Sequence, residues 1–302
     1  MDRSELRPLG VAEIVDVALK VYLRHALALF GLVAIVVVPV QLVQLLFTLS
    51  ITPATEAAGS EAAFTGTVSD GGAATLAGLI FGGLLVGLLT FVATTLATGA
   101  CFKAVADAYL GDQPDTSESL RFARGRLGSL ILVSLLGAVL TFLGFLLFVL
   151  PGVYLWIAFS VAAPVLLFEG VKGSGALGRS RRLVQGRWWP VFGTLLLGFI
   201  LAAVVGGIIT SILTGVLALG SGSGGFVEAL VGAVAGSVAA IVTTPFQAAL
   251  IAILFFDLKV RKEGFDVTLL AEGMGMPPPP GAPENRPGIG SPASAPEPPT
   301  GG

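Results

Sequence analysis

The sequence predicts an all-α fold: a polytopic membrane bundle of about six transmembrane helices, joined by basic interfacial helices. Three observations carry that expectation. The 302 residues are 54% hydrophobic and only 12% charged, about half the charged share of a soluble domain, and mean hydropathy is +0.91. The apolar residues gather into uninterrupted runs, several long enough to cross a hydrocarbon layer of about 30 Å as a helix. All 17 Lys and Arg fall on one side of the topology that those runs define.

The runs occupy 28–50, 74–99, 128–148, 154–168, 190–218 and 229–256, placing 1–270 in one membrane domain. The first run is too long, and too far from the start, for a cleaved signal peptide, so it reads as a retained helix. The stretch 51–73 reads as a flexible outer loop. Residues 128–168 form a hairpin, because Pro151-Gly152 breaks one helix and starts the next. The short fourth span borrows from "FVLPG" before it. Pro190 opens the fifth span at a position that tolerates proline, while Pro164 and Pro245 predict kinks in spans four and six. The tail 271–302 holds more than half of the chain's 18 prolines and is expected to be a disordered cytoplasmic extension.

Orientation follows from the basic residues. They lie in 1–27, 100–127, 169–189 and 257–302, and none lies in 51–73, 149–153 or 219–228. Positive residues stay inside, so both termini are expected in the cytoplasm. The net charge of −2 gives no reason to expect a nucleic-acid partner.

Three basic amphipathic segments each run into a span. "VAEIVDVALKVYLRHA" (11–26) sets Val11, Ile14, Val15, Ala18, Leu19, Tyr22 and Leu23 on one helical face, with Lys20 and Arg24 on the other. "DTSESLRFARGR" (115–126) has Asp115 and Glu118 at capping-box spacing and closes with Arg121, Arg124 and Arg126. "SGALGRSRRLVQGRWW" (174–189) carries Arg179, Arg181, Arg182 and Arg187, then Trp188 and Trp189. These arginines are expected beside anionic inner-leaflet headgroups, with the tryptophans in the interfacial belt. Arginines interleaved with aromatics also suit nucleic acid, but the flanking spans favour the membrane edge. The downstream spans end alike, in "AYLGD" (108–112), "LFEG" (167–170) and "FFDL" (255–258). Together these patterns suggest a threefold repeat of interfacial helix, span, outer turn and span.

Small residues recur every fourth position in spans six (Gly232, Gly236, Ala240), five (Gly198, Ala202, Gly206) and two (Ala74, Gly78, Gly82). Such ridges allow close helix approach in lipid, and the ridge of span six is expected against span five or span two. The intramembrane polar residues Gln41, Gln44, Thr243, Thr244 and Gln247 admit two readings: interhelical hydrogen bonds, or the lining of a path for a polar or amphipathic solute.

The search for chemistry returns no catalytic, cofactor or metal site. His25 is the single histidine and Cys101 the single cysteine, so a His pair, a cysteine metal cluster and an intrachain disulfide are all excluded. Cys101 sits among Thr98, Gly99, Ala100 and Ala104 and reads as a small packing residue. No Walker loop or G-x-S-x-G elbow is present.

"RPLGVAEIVDVALKVYLRH" (7–25), "LPGVYLWIAFSVAAPVLLFEG" (150–170), "ALGRSRRLVQGRWWPVFGTLLLG" (176–198) and "LFFDLKVRKEGFDV" (254–267) resemble the glycerophosphoryl diester phosphodiesterase membrane-domain family. The resemblance covers roughly 5–270 and implies a polytopic protein of a prokaryotic inner membrane. Members of that family are sometimes fused to a hydrolytic domain whose paired histidines and carboxylates this chain lacks. The expectation is therefore a non-enzymatic membrane protein, a scaffold or accessory for an unknown protein partner or for lipid or peptide handling. The alternative is a small transporter.

Overall fold

The computed structural model describes the backbone of residues 9–65, 70–220 and 225–263, and the side chains of 9–51, 77–216 and 226–262. The tail 271–302 lies outside the described residues. Among those described, the fold is helical throughout: α1 (Val11–Arg24), α2 (Ala26–Thr65), α3 (Asp70–Leu110), α4 (Thr116–Gly125), α5 (Leu127–Leu147), α6 (Val149–Ala158), α7 (Ala162–Pro164) with a π-helical turn at Val165–Glu169, α8 (Ser174–Val184), α9 (Trp188–Gly220) and α10 (Gly225–Glu263). Six segments are long and apolar enough to cross a bilayer, so the chain is built as a multi-pass membrane bundle. A short amphipathic helix followed by two long apolar segments occurs three times in the chain order.

The helices outrun the spans read from the sequence. Most of the expected loop 51–73 is helix, up to Thr65 on one side and from Asp70 on the other. Its alanines and glutamates are good helix formers, so nothing stops α2 where the apolar run stops. The hairpin break also moves: Phe148, with φ −170° and ψ 158°, is the extended residue, and Pro151 sits inside the first turn of α6. A proline there forfeits only an N–H that the helix start leaves orphaned.

α10 is the central helix and packs on α9, α2, α1 and α3. The glycine ridges work differently from the expectation. Gly236 faces α2, where an added Cβ would lie 3.3 Å from Gln41 Nε2, and Gly232 faces open space. The glycines of α9 receive side chains of α10: Leu250 at Gly198 and Thr243 at Gly206. Gly82 of α3 receives Phe47 of α2. Each ridge takes a knob from its neighbour rather than a second ridge, because bare backbone on both sides would leave a void.

Among the described glycines, Gly144 at the crown of α5 and α6 is the one that faces backbone. A Cβ on Gly144 would lie 3.0 Å from Gly152 Cα and 3.1 Å from its nitrogen. Backbone atoms cannot swing aside as a side-chain tip can. Gly144→Ala is therefore expected to lower detergent stability by about 1–3 kcal/mol, whereas Gly83→Ala, facing open space, leaves it unchanged. Thermal unfolding of the two variants checks this.

Breaks inside the apolar segments meet polar side chains of neighbouring helices. The turn at Phe159–Val161 interrupts the fourth segment, and the buried Ser180 hydroxyl of α8 donates to the Ala158 carbonyl at 2.7 Å. Pro245 lies inside α10 without ending it and leaves the Ile241 carbonyl without its N–H donor; beside it, Tyr22 of α1 donates its hydroxyl to Val242 O at 3.1 Å. Burial pushes the Tyr22 phenol above its ordinary pKa.

Candidate functional site: a charged latch at the ends of the helices

The last two turns of α10 read "DLKVRK", residues 257–262. A helix repeat of 3.6 residues sends these side chains to different neighbours. Asp257 accepts the Leu9 N–H at 2.7 Å through Oδ1, and Arg261 donates to the Leu9 carbonyl. Arg261 Nε also reaches both oxygens of Asp257, at 3.0 and 2.9 Å. One acid and one base on successive turns thus clamp both backbone groups of the residue that leads into α1.

Lys259 points elsewhere. Its ammonium lies 3.5 Å from Glu169 Oε1, and both side chains are buried, at 4% and 8% exposure. Glu169 ends the π-helical turn, and Gly170 follows in the left-handed region at φ 70°, a conformation glycine adopts without strain. Arg179 of α8 meets the same carboxylate in a fork, Nε to Oε2 at 2.8 Å and Nη2 to Oε1 at 3.2 Å. Lys262 then donates to the carbonyls of Arg182 and Gln185 at 2.6 Å each, capping the end of α8. Around this hub Phe168 packs on Phe255 and Phe256, with ring centroids 5.8 and 5.5 Å apart.

The second interfacial helix is fastened in the same style. Lys103 of α3 binds Asp107 at 2.6 Å and lies 3.5 Å from Glu118 of α4. Asp115 caps α4, accepting from the backbone N–H of Ser117 and Glu118 at 2.7 and 3.0 Å. The Glu118 N–H and the Ser117 hydroxyl and N–H hold its carboxyl below the usual range.

The expected interfacial residues divide into two groups. Arg24, Arg121, Arg124, Arg181, Arg182 and Trp189 are exposed, and Arg126, Arg187 and Trp188 are half-buried. Lys20 is exposed and pairs with Asp16 at 2.7 Å. Arg126 stacks over Phe122 at 3.9 Å, and Trp188 stacks on Phe192 at 5.4 Å. Arg179 departs from the expectation, since it turns inward to Glu169 instead of lying with Arg181 and Arg182. Leu23 also departs: it is 62% exposed, and Val21 occupies the inner face in its place.

The intramembrane polar residues have different neighbours. Gln44 and Gln247 are exposed. Thr243 donates to Ala239 O in its own helix at 2.8 Å and touches α9, while Gln41 lies against Gly236. Cys101 is fully buried among packing residues. Among the described residues no three His, Cys, Asp or Glu side chains gather as a metal ion would need.

Sequence reasoning missed the latch. Its signal was the acid that follows paired large apolar residues in "LFEG" and "FFDL", with basic residues one or more turns on. The third member, "AYLGD", breaks the pattern: Asp112 is exposed, and Asp107 does the fastening.

No family model matches the chain, and no curated protein or solved structure matches it either. The class defined by the coordinates is thus a multi-pass helical membrane protein, with each interfacial helix tied to the helix ends around it.

Proposed function

We propose that the chain is a non-enzymatic protein of a prokaryotic inner membrane, a scaffold or accessory that presents a fixed cytoplasmic face to a partner or to lipid. The observation that carries this reading is how the inward charges are used. Glu169, Asp257, Lys259 and Arg261 bind one another, Arg179 and the backbone of Leu9, so these buried charges hold helices together. The same links set α1 and α8 rigidly in place, so the exposed arginines form a fixed pattern facing the inner-leaflet headgroups. Each such residue contributes about 1 kcal/mol of attraction to an anionic surface. The resemblance to the phosphodiesterase membrane-domain family fits a partner-supporting role without hydrolysis. The transporter reading requires Gln41, Gln247, Thr243 and Thr244 to line one cavity, whereas Thr243 bonds within its own helix.

Mild-detergent purification of tagged protein is expected to retain a stoichiometric protein partner or tightly held phospholipid. Substrate-dependent turnover or saturable solute uptake by the purified protein alone in vesicles contradicts the reading. Orientation has its own test in intact cells with a membrane-impermeant maleimide. Thr65→Cys is expected to label from outside and Ser174→Cys to stay unlabelled. The reverse pattern means that the chain is inverted.

A further inference from the structure

The hairpin of α5 and α6 has the length of two spans, yet its contacts place it at an unexpected depth. α8 fixes the level of the inner surface. Its Arg181 and Arg182 are exposed, its end is capped by Lys262, and its Arg179 shares Glu169 with Lys259. Sinking this helix to mid-bilayer would carry the exposed arginines with it, at a cost of about 2.5–3.5 kcal/mol each.

Both arms of the hairpin rest on α8 at their midpoints. In α6, Ala158 O accepts from Ser180, and Tyr154 lies 6.0 Å from the Arg181 guanidinium. In α5, a Cβ on Gly137 would touch Leu177 at 3.4 Å. From Ala158 to the crown at Val149 the helix rises about 14 Å, and from Gly137 to Leu147 about 15 Å, at 1.5 Å per residue. From Tyr154, beside the exposed Arg181, the rise is only about 8 Å, and all three figures fall well short of the roughly 30 Å hydrocarbon layer. The base of α5 points the same way. Leu130 packs at Gly99, one turn before Lys103 of α3, so α5 passes from one interfacial contact to another and lies obliquely.

The crown has the chemistry of a segment that never reaches water. Residues 142–153, "FLGFLLFVLPGV", contain no polar side chain, and Leu147, Phe148 and Leu150 are 79%, 67% and 74% exposed. Two backbone hydrogen bonds join the arms at Phe148. Phe148 N–H donates to Gly144 O at 2.9 Å and Gly152 N–H to Phe148 O at 3.3 Å, while Pro151 brings no N–H.

We propose that α5 and α6 form a re-entrant hairpin that enters from the cytoplasmic side, turns among the acyl chains near the bilayer centre and returns. Four helices (α2, α3, α9 and α10) then cross completely, and both termini remain inside, since an entry and return on one face preserves the orientation. The occupant of the exposed crown is lipid hydrocarbon. The inference rests on the orientation proposed above, and its test keeps the two apart.

Phe148→Cys and Leu150→Cys are placed singly beside Thr65→Cys and Ser174→Cys as outer and inner controls. In intact cells both crown cysteines are expected to lose outside labelling to the level of Ser174→Cys. Each is then coupled to a fluorophore and reconstituted in vesicles of phosphatidylethanolamine and phosphatidylglycerol doped with nitroxide lipids. Quenching is expected to be strongest when the nitroxide sits near the acyl-chain ends. Outside labelling matching Thr65→Cys, or strongest quenching by a headgroup nitroxide, overturns the re-entrant hairpin. If Ser174→Cys labels and Thr65→Cys does not, the orientation fails, and the quenching depth alone decides the hairpin.

Discussion

Replacing Glu169 with alanine is expected to produce the largest loss of stability of any single change around the charged latch. Glu169 and Lys259 are 8% and 4% exposed, and the same carboxylate receives the Arg179 fork. Taking the anion away leaves two cations facing each other with little water to screen them. Breaking a buried pair by deleting one partner costs about 3–5 kcal/mol. For a domain of this size that corresponds to a fall in unfolding temperature on the order of 10 °C. Glu118→Ala is the contrasting control. Glu118 also reaches a lysine, at 3.5 Å, but it is 56% exposed, and pairs of that kind contribute about 0–1 kcal/mol. A scanning measurement in one detergent separates the two.

Asp257→Ala is expected to have the next largest effect, and one that is local as well as global. The carboxylate accepts three bonds, two from Arg261 and one from the Leu9 N–H, and its side chain is 3% exposed. Arg261 keeps the Leu9 carbonyl but loses its counter-charge, so the loss is about 3 kcal/mol, at the lower end for a buried pair. The entry to α1 is then held from one side only. Amide exchange in Val11–Arg24 is expected to accelerate while exchange in α9 stays slow. Equal acceleration in both helices contradicts the assignment of Asp257 to the α1 clamp.

Features that depend on one segment and its solvent were legible from sequence. Six apolar segments, three amphipathic helices and the Asp115 cap follow from hydropathy, helical periodicity and local hydrogen bonding. Features that depend on a distant partner were not. Arg179, Arg181 and Arg182 look equivalent in sequence, and what separates them is a carboxylate ten residues upstream of Arg179 on the far side of a turn. Asp257 and Glu169 sit at span ends, where an acid is ordinarily solvated, and only the packing of α1, α8 and α10 removes the water. The break at Phe159–Val161 falls one turn before Pro164, so the kink expected there was legible, but the group that caps it was not. Its stability depends on Ser180, twenty-two residues from the carbonyl it caps. Phe148 replaced Pro151-Gly152 as the breaking point for a similar reason: the proline fits a helix start, so the extended residue must precede it.

The claim that the charged residues around Lys259 act as a fastener, and not as a path for charge, is tested most directly by replacing the whole cluster. A buried ionic cluster exchanged for apolar residues of similar volume is often neutral or stabilising, by about 1–4 kcal/mol. Thermal stability in detergent is measured for Glu169→Met alone and for the combined Glu169→Met, Arg179→Met and Lys259→Met protein. The account predicts that the single variant unfolds well below wild type and that the combined variant regains most of the loss. It further predicts that the combined variant keeps the co-purifying partner or lipid. A combined variant as unstable as the single one, or a stable one that has lost its bound partner and lipid, contradicts the account.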